Sequence, residues 1–376
     1  MDTNAVRMAF EASRKVNGGM VLFAAPGIYL TGAFNISSNT VVFVDKNAII
    51  QGSSNGDDYP LILPLPWYGG GSDDQGSGKL MHQSLLHSNS AHNITITGYG
   101  TIDGNGMPWW KCAHDIKKPP CNDHSRPHLV MLVEGENIEI SNIEMKNSPS
   151  WTLHLAKCSH VHVHNVTFHN PSDAPNADGI DVDCSQDVVV EDCTLDVGDD
   201  ALCVKSGKDW FGRTFGSASK NIVFQNNMIY HGHGITIGSE MSAGIRNVTF
   251  INITMDGTSN GVRLKSQRGR GGVVRDVVYK NITMKNIGTS IDITLNYHHG
   301  MKPTNATATP KFERITLEQV SSNHSNVGFL IDGIPESPIK ELRLINVDVD
   351  AEKILETCEY VEGSCANCSY CPKCIK

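Results

Sequence analysis

Seven short segments of this sequence repeat one pattern, and a chain built of repeats has few ways to bury its apolar residues. They begin at Asn137, His160, Asp187, Asn221, Asn247, Asp276 and Glu341. Asn137-Ile138-Glu139-Ile140-Ser141-Asn142-Ile143 is representative. Successive starts up to Asp276 differ by 23, 27, 34, 26 and 29 residues. A period in this range marks a repeat architecture, and the alternation inside each segment makes the repeating unit a strand. Such a chain coils into stacked rungs in which each strand pairs with its equivalent in the next, the logic of a parallel β-helix. One all-β solenoid domain spanning 1–376 is expected, with a cap helix over 3–16 and a Cys-rich tail from about 358 to 376.

A second strand in each rung gives a sharper register. With Thr152, Gly179, Ala201, Gly234, Gly261 and Ser290 as position zero, positions one and three are aliphatic in all six rungs, from Leu153 and Leu155 to Ile291 and Ile293. Period-two alternation places that set inside the coil. Positions two and four then face outward and form a groove wall: His154, Asp181, Asp183, Cys203, Lys205, Thr236, Arg263, Lys265, Asp292 and Thr294. Ahead of the rungs, Ala5, Met8, Ala9 and Ala12 recur at helical spacing, and Gly18-Gly19 ends that pattern.

The cysteines and sequons bear on compartment. Eleven cysteines favour an oxidising environment. Cys112 and Cys121 bracket a Pro-rich loop and are expected to bridge it, while Cys184, Cys193 and Cys203 lie at strand positions, packed or paired. Cys365, Cys368, Cys371 and Cys374 follow at three-residue steps, a spacing that suits a metal or, in a secreted chain, disulfides with Cys358 included. Asn-x-Ser/Thr occurs at Asn35, Asn93, Asn165, Asn247, Asn252, Asn281, Asn305, Asn323 and Asn367, either glycan acceptors or strand starters. The chain begins without an apolar signal segment, so secretion implies a signal outside it. A net charge of −9 argues against nucleic acid as a partner, and no apolar run approaches the ~18 residues of a membrane span. Nothing requires an oligomer, so a monomer is expected.

Functional groups concentrate at one point of the register. Just before position zero it stacks Trp151, Asp178, Asp200, His233, Asn260 and Thr289, with Asp199 beside Asp200. Single Asp residues are common turn formers. Three of them with a histidine on adjacent rungs instead suggest a site where crowded carboxyls titrate apart and divide acid and base roles. Asp199 and Asp200 can both reach it only if the backbone bends near Gly198. Arg263 and Lys265, two apart on the next outward face, suit an anionic substrate group. Tyr297 follows the next strand.

These residues resemble the polygalacturonases and related pectin-degrading enzymes of glycoside hydrolase family 28. The family's four motifs appear in order as Asn176-Ala177-Asp178, Asp199-Asp200, Gly232-His233-Gly234 and Arg263-Leu264-Lys265. The likeness runs from Gly27-Ile28-Tyr29 through Gly100-Thr101-Ile102-Asp103-Gly104 to Tyr297. It departs at Ala177, where Thr is usual, and at Gly198, where many endo-acting members carry Gln. The resemblance implies a right-handed parallel β-helix that hydrolyses polygalacturonan or pectin with inversion, with no metal or organic cofactor. It implies Asp199 as general acid, Asp178 and Asp200 as the carboxylates that activate water, and His233 as support for the acid. Arg263, Lys265, Tyr297 and Asn176 would bind galacturonate. An inverting pair stands ~6.5–9.5 Å apart to admit the water.

Lys205-Ser206-Gly207, Gly238-Ser239-Glu240-Met241 and Arg268-Gly269-Arg270-Gly271-Gly272 resemble the exo-acting branch, as does the long segment from Asp57 to Lys79. Endo action, or a rhamnogalacturonan or xylogalacturonan backbone, is the alternative. From other classes, a calcium-dependent pectate lyase and a non-catalytic glycan-binding β-helix remain as rivals.

Overall fold

The computed structural model describes residues 1–69, 80–298, 302 and 308–375. The sequon at Asn305 and residues 70–79 of the long segment lie outside them. The chain forms two compact units: Met1–Leu65, Gly69–Asp181 and Gln186–Asp199 make the first, and Pro66–Tyr68, Val182–Ser185 and Asp200–Lys376 the second.

In the first unit, parallel strands stack in three series. One runs through Gly19–Phe23, Thr40–Val44, His92–Thr97, Glu136–Ser141, Ser159–His164 and Gln186–Glu191. Another runs from Gly27–Thr31 to Thr194–Asp196 and a third from Phe34–Asn35 to Leu153–Ala156. Helix α1, Thr3–Lys15, buries Val6 and Phe10. Asp2 precedes it and uses its carboxylate on the Leu30 amide rather than as a side-chain cap.

In the second unit, β1 (Leu202–Lys205), β2 (Ile235–Gly238), β3 (Asn260–Lys265) and β4 (Thr289–Thr294) pair in parallel, with Leu202, Ile235, Val262 and Ile291 in line. That is the register expected from the sequence. The other face consists of long strands, Ile245–Asp256, Val273–Lys285, Lys311–Asp332 and Ile339–Glu359, that turn corners without breaking. Helix α2, Asp209–Phe215, packs beside this sheet against the turn Pro66–Tyr68.

The corners explain the repeat. The first and sixth residues of the repeated segments, from Asn137 and Asn142 to Glu341 and Asn346, have φ between 51° and 57°. Asn and Asp tolerate this left-handed region better than other side chains with a Cβ. Their amides also ladder: Asn247 donates to Asn221 at 2.9 Å, Asn252 to Asn226 at 3.1 Å and Asn281 to Asn252 at 2.8 Å. The Asn-x-Thr triplets at these positions are therefore corner residues followed by a strand, whatever else they carry.

All twelve aliphatic residues of the inward set are fully buried. The outward set departs from expectation, because Asp181, Asp183, Cys203 and Thr236 are just as buried. Asp183 shows the reason in the second unit: Trp67 lies over it and donates its indole N–H to Oδ2 at 2.7 Å. A strand covered on both faces loses its alternation.

Disulfides join Cys112 to Cys121, Cys358 to Cys374 and Cys365 to Cys371. Four of the five tail cysteines are thus cross-linked, Cys368 stays outside the bridges, and no four-thiolate set is left there for a metal. Cys184, Cys193 and Cys203 are buried outside these bridges; only Cys203 lies within a strand, while Cys184 and Cys193 fall in the short links between strands, where the chain turns. Among the described residues, no helix is long and apolar enough to cross a membrane.

Candidate active site

The first unit carries Asn176, Asp178 and Asp199. The loop before Asp178 is held by Arg126, whose guanidinium donates to the carbonyls of Pro149 (2.9 Å) and Pro175 (2.7 Å) and to Asn176 Oδ1 (2.6 Å). Asn176 therefore spends its carbonyl oxygen on positioning its own loop. Asp178 follows, buried, with its backbone oxygen accepting from the Thr152 amide at 3.0 Å. The Gly198 amide donates to the Ala177 carbonyl at 3.3 Å, and a Cβ on Gly198 would collide with the carbonyl of Ala174. Glycine there lets the Asp178 loop and the Asp199 turn approach. The backbone bends at Gly198 and Asp199, between the strands Thr194–Asp196 and β1, as the two-carboxylate reading requires.

The second unit brings together Asp200, His233, Arg263, Lys265 and Tyr297. Asp200 is 1% exposed. Its Oδ2 accepts from Lys265 Nζ at 2.8 Å and its Oδ1 from the Thr236 hydroxyl at 3.1 Å. Arg263 Nη1 and His233 Nδ1 each stand 3.8 Å from Oδ1. Burial alone would push the Asp200 carboxyl up, but Lys265, Lys205, Arg263 and His233 outweigh it and hold the group well below the usual carboxylate range. Asp200 is thus held as an anion in a cationic cage.

Strand register sets this arrangement. Thr236 on β2 is flanked by Cys203 on β1 and Arg263 on β3, so their side chains leave the sheet in one row. Gly234 shapes the turn that presents His233: its φ is 71°, and a Cβ would collide with the carbonyls of Asn260 and Gly261. His233 keeps 36% of its side chain exposed. The Tyr297 amide donates to the Ser266 carbonyl at 3.0 Å, and its ring centre lies 5.5 Å from the Arg263 guanidinium carbon and 5.4 Å from Lys265 Nζ. Two cations backed by an aromatic face and a buried anion suit a ligand that carries both a carboxylate and a sugar-like apolar surface.

Three groups escaped the sequence reading. Thr236 was read as outward but not as a donor to Asp200. Asp292, opposite Arg263 in the register, accepts from Arg263 Nε at 3.1 Å, a pairing the register alone already suggests. Arg126 lies outside every repeat and left no signal.

The glycosyl hydrolases family 28 model matches residues 70–369. The chain belongs to this family. It is 33% identical to a probable polygalacturonase of Vitis vinifera, over 92% of this chain and 71% of that protein. It is 29% identical to an endo-polygalacturonase of Pectobacterium carotovorum, over 86% and 78%. The solved structure of an exopolygalacturonase from Thermotoga maritima superposes with a TM-score of 0.78 at 23% identity, covering 97% of this chain and 87% of that one. The family 28 chain is thus an all-β right-handed parallel β-helix: its rungs implied the coil and its resemblance to the family implied the hand.

Proposed function

We propose that this family 28 hydrolase is a secreted polygalacturonase that cleaves α-1,4-galacturonosyl bonds from chain ends. The observation that carries the polygalacturonase reading is the clamp around Asp200. Arg263, Lys265 and Tyr297 offer a charged and stacked seat for a uronic acid at a buried, ionised carboxylate. In this reading Asp199 is the acid that protonates the leaving oxygen, Asp178 and Asp200 activate the water, and His233 supports the acid. A carboxylate held as low as Asp200 is a weak base until its cations are shared. A substrate carboxylate on Lys265 and Arg263 shares them, so Asp200 gains basicity when the sugar is bound. The disulfides favour an oxidising compartment.

Chain-end action rests on the second unit. The three segments read as exo-like come together there: Lys205 pairs with Glu240 at 3.4 Å, Arg270 pairs with Glu240 at 3.3 Å, and the Ser206 amide donates to the Glu240 carbonyl at 2.8 Å. The Lys208 amide donates to the Trp67 carbonyl at 3.0 Å, which fixes the turn Pro66–Tyr68 beside them. This buried mass lies at the Lys265 end of the clamp, at a row running from Lys205 past Gly238. Endo action is the second reading, favoured by the likeness to the Pectobacterium enzyme.

Chromatography of the first products from polygalacturonate tests both. Monomer alone in the first minutes is expected; an early ladder of oligomers would establish endo action. Ultraviolet-absorbing, chelator-sensitive products would instead mean a lyase, and no products a binding protein. Lys265→Ala is expected to raise KM on polygalacturonate at least tenfold, about the value of a charge-assisted hydrogen bond. An unchanged KM would remove Lys265 from substrate binding.

A further inference from the structure

Arg263 has a second anion beside it that the proposed reaction does not use. Asp292 on β4 stands across from Arg263 on β3. Its Oδ2 accepts from Arg263 Nε at 3.1 Å and from Asn260 Nδ2 at 3.2 Å. The residue is 6% exposed, and Oδ1 has no hydrogen-bond partner among the described residues. The charged groups around it are Arg263, Lys265 and Asp200, while its neighbour on the strand beyond β4 is Leu330.

A carboxylate in this position has two effects on the guanidinium. By occupying Nε it fixes the plane of the fork, with Nη1 directed to the Asp200 side. By adding a negative charge about one hydrogen bond away, it offsets the attraction that a substrate carboxylate would otherwise meet in full. We propose that Asp292 is a specificity-determining residue that both aims Arg263 and competes with the sugar carboxylate for it, setting how far this site prefers an acidic sugar to its neutral ester. The proposal rests on the reading of Arg263 as a uronate binder.

Burial raises the Asp292 carboxyl above its ordinary range, against the opposing pull of Arg263 and Lys265. Below that raised value Asp292 is neutral and Arg263 is fully available. As pH rises through it, the competing charge forms and affinity for an anionic polymer falls. Asp200, held far lower, stays ionised throughout and contributes a constant field.

Asp292→Asn keeps an acceptor for Arg263 and Asn260 while removing the charge; Asp292→Leu removes both. KM and kcat of both variants and the wild type are measured on polygalacturonate and on the same polymer partly methyl-esterified, from mildly acidic to neutral pH. Asp292→Asn is expected to lower KM on polygalacturonate about fivefold at neutral pH, to flatten its pH dependence, and to change the esterified polymer less. Asp292→Leu is expected to have a higher KM than Asp292→Asn, because the fork is no longer aimed. An Asn variant with wild-type KM and pH dependence, or one weaker on both polymers alike, overturns the proposal. If the wild type cuts neither polymer, the polygalacturonase reading fails instead. Calorimetric binding of oligogalacturonate then decides this proposal alone: tighter binding by Asp292→Asn supports it and equal binding overturns it.

Discussion

Asp200→Asn is expected to lower kcat on polygalacturonate by about a thousandfold, the scale of a lost general base, while substrate affinity holds or improves. The asymmetry follows from the cage. Asn keeps the size of Asp and can still accept from Thr236 or Lys265, so the turn survives. What disappears is the negative charge that Lys265 Nζ meets at 2.8 Å, so that ammonium attracts a substrate carboxylate more strongly. Loss of the group proposed to handle the water therefore appears in kcat, and release of the cations appears in KM. Reducing-end assays give both constants, and an unchanged unfolding midpoint excludes misfolding. A variant retaining more than about a tenth of wild-type kcat would remove Asp200 from the reaction.

Much of this was legible in the sequence, for reasons the structure makes physical. The repeat was visible because left-handed corners favour Asn and Asp, and those residues recur at most of the places where a rung turns. One rung was missed between Asp276 and Glu341 because its corner is Arg314, with φ of 54°. An arginine there is tolerated beside Asp276, which accepts from its Nε at 2.6 Å, but it carries no compositional signal. The inward aliphatic positions were legible because a dry coil interior favours apolar side chains at alternate positions. The burial of the outward face was not, since Trp67 reaches Asp183 across 116 residues of sequence. Likewise the motif residues marked where Asp200, His233, Arg263 and Lys265 meet, but not which partners hold them. The register alone already set Asp292 opposite Arg263, whereas the bond from Thr236 to Asp200 became visible only with the side chains in place.

Glu240 offers the other large effect. Replacing it with Ala is expected to cost about 3 kcal/mol of stability, the range for breaking a buried ion pair from one side. Lys205 and Arg270, with side chains 4% and 6% exposed, would keep their charges and lose this carboxylate. The pH dependence separates charge from packing. Burial raises the Glu240 carboxyl, but Lys205, Arg270, Lys208 and Lys265 outweigh burial and hold it well below the usual range. A group whose folded value is depressed stabilises the protein fully above its unfolded value, about 4.3 for Glu, and less as pH falls toward the folded value. Wild type and Glu240→Gln, compared by urea unfolding, should therefore differ most at neutral pH, and the gap should start to close below about pH 4 and keep closing as pH falls further. A gap that persists unchanged to about pH 3 would mean that shape, not charge, holds the cluster. Because Glu240 joins the Lys205, Gly238 and Arg270 segments beside the clamp, the same Gln variant should also release early oligomers if the wild type, as proposed, releases monomer. If stability falls without that change in products, the cluster braces the second unit but does not set where the chain is cut.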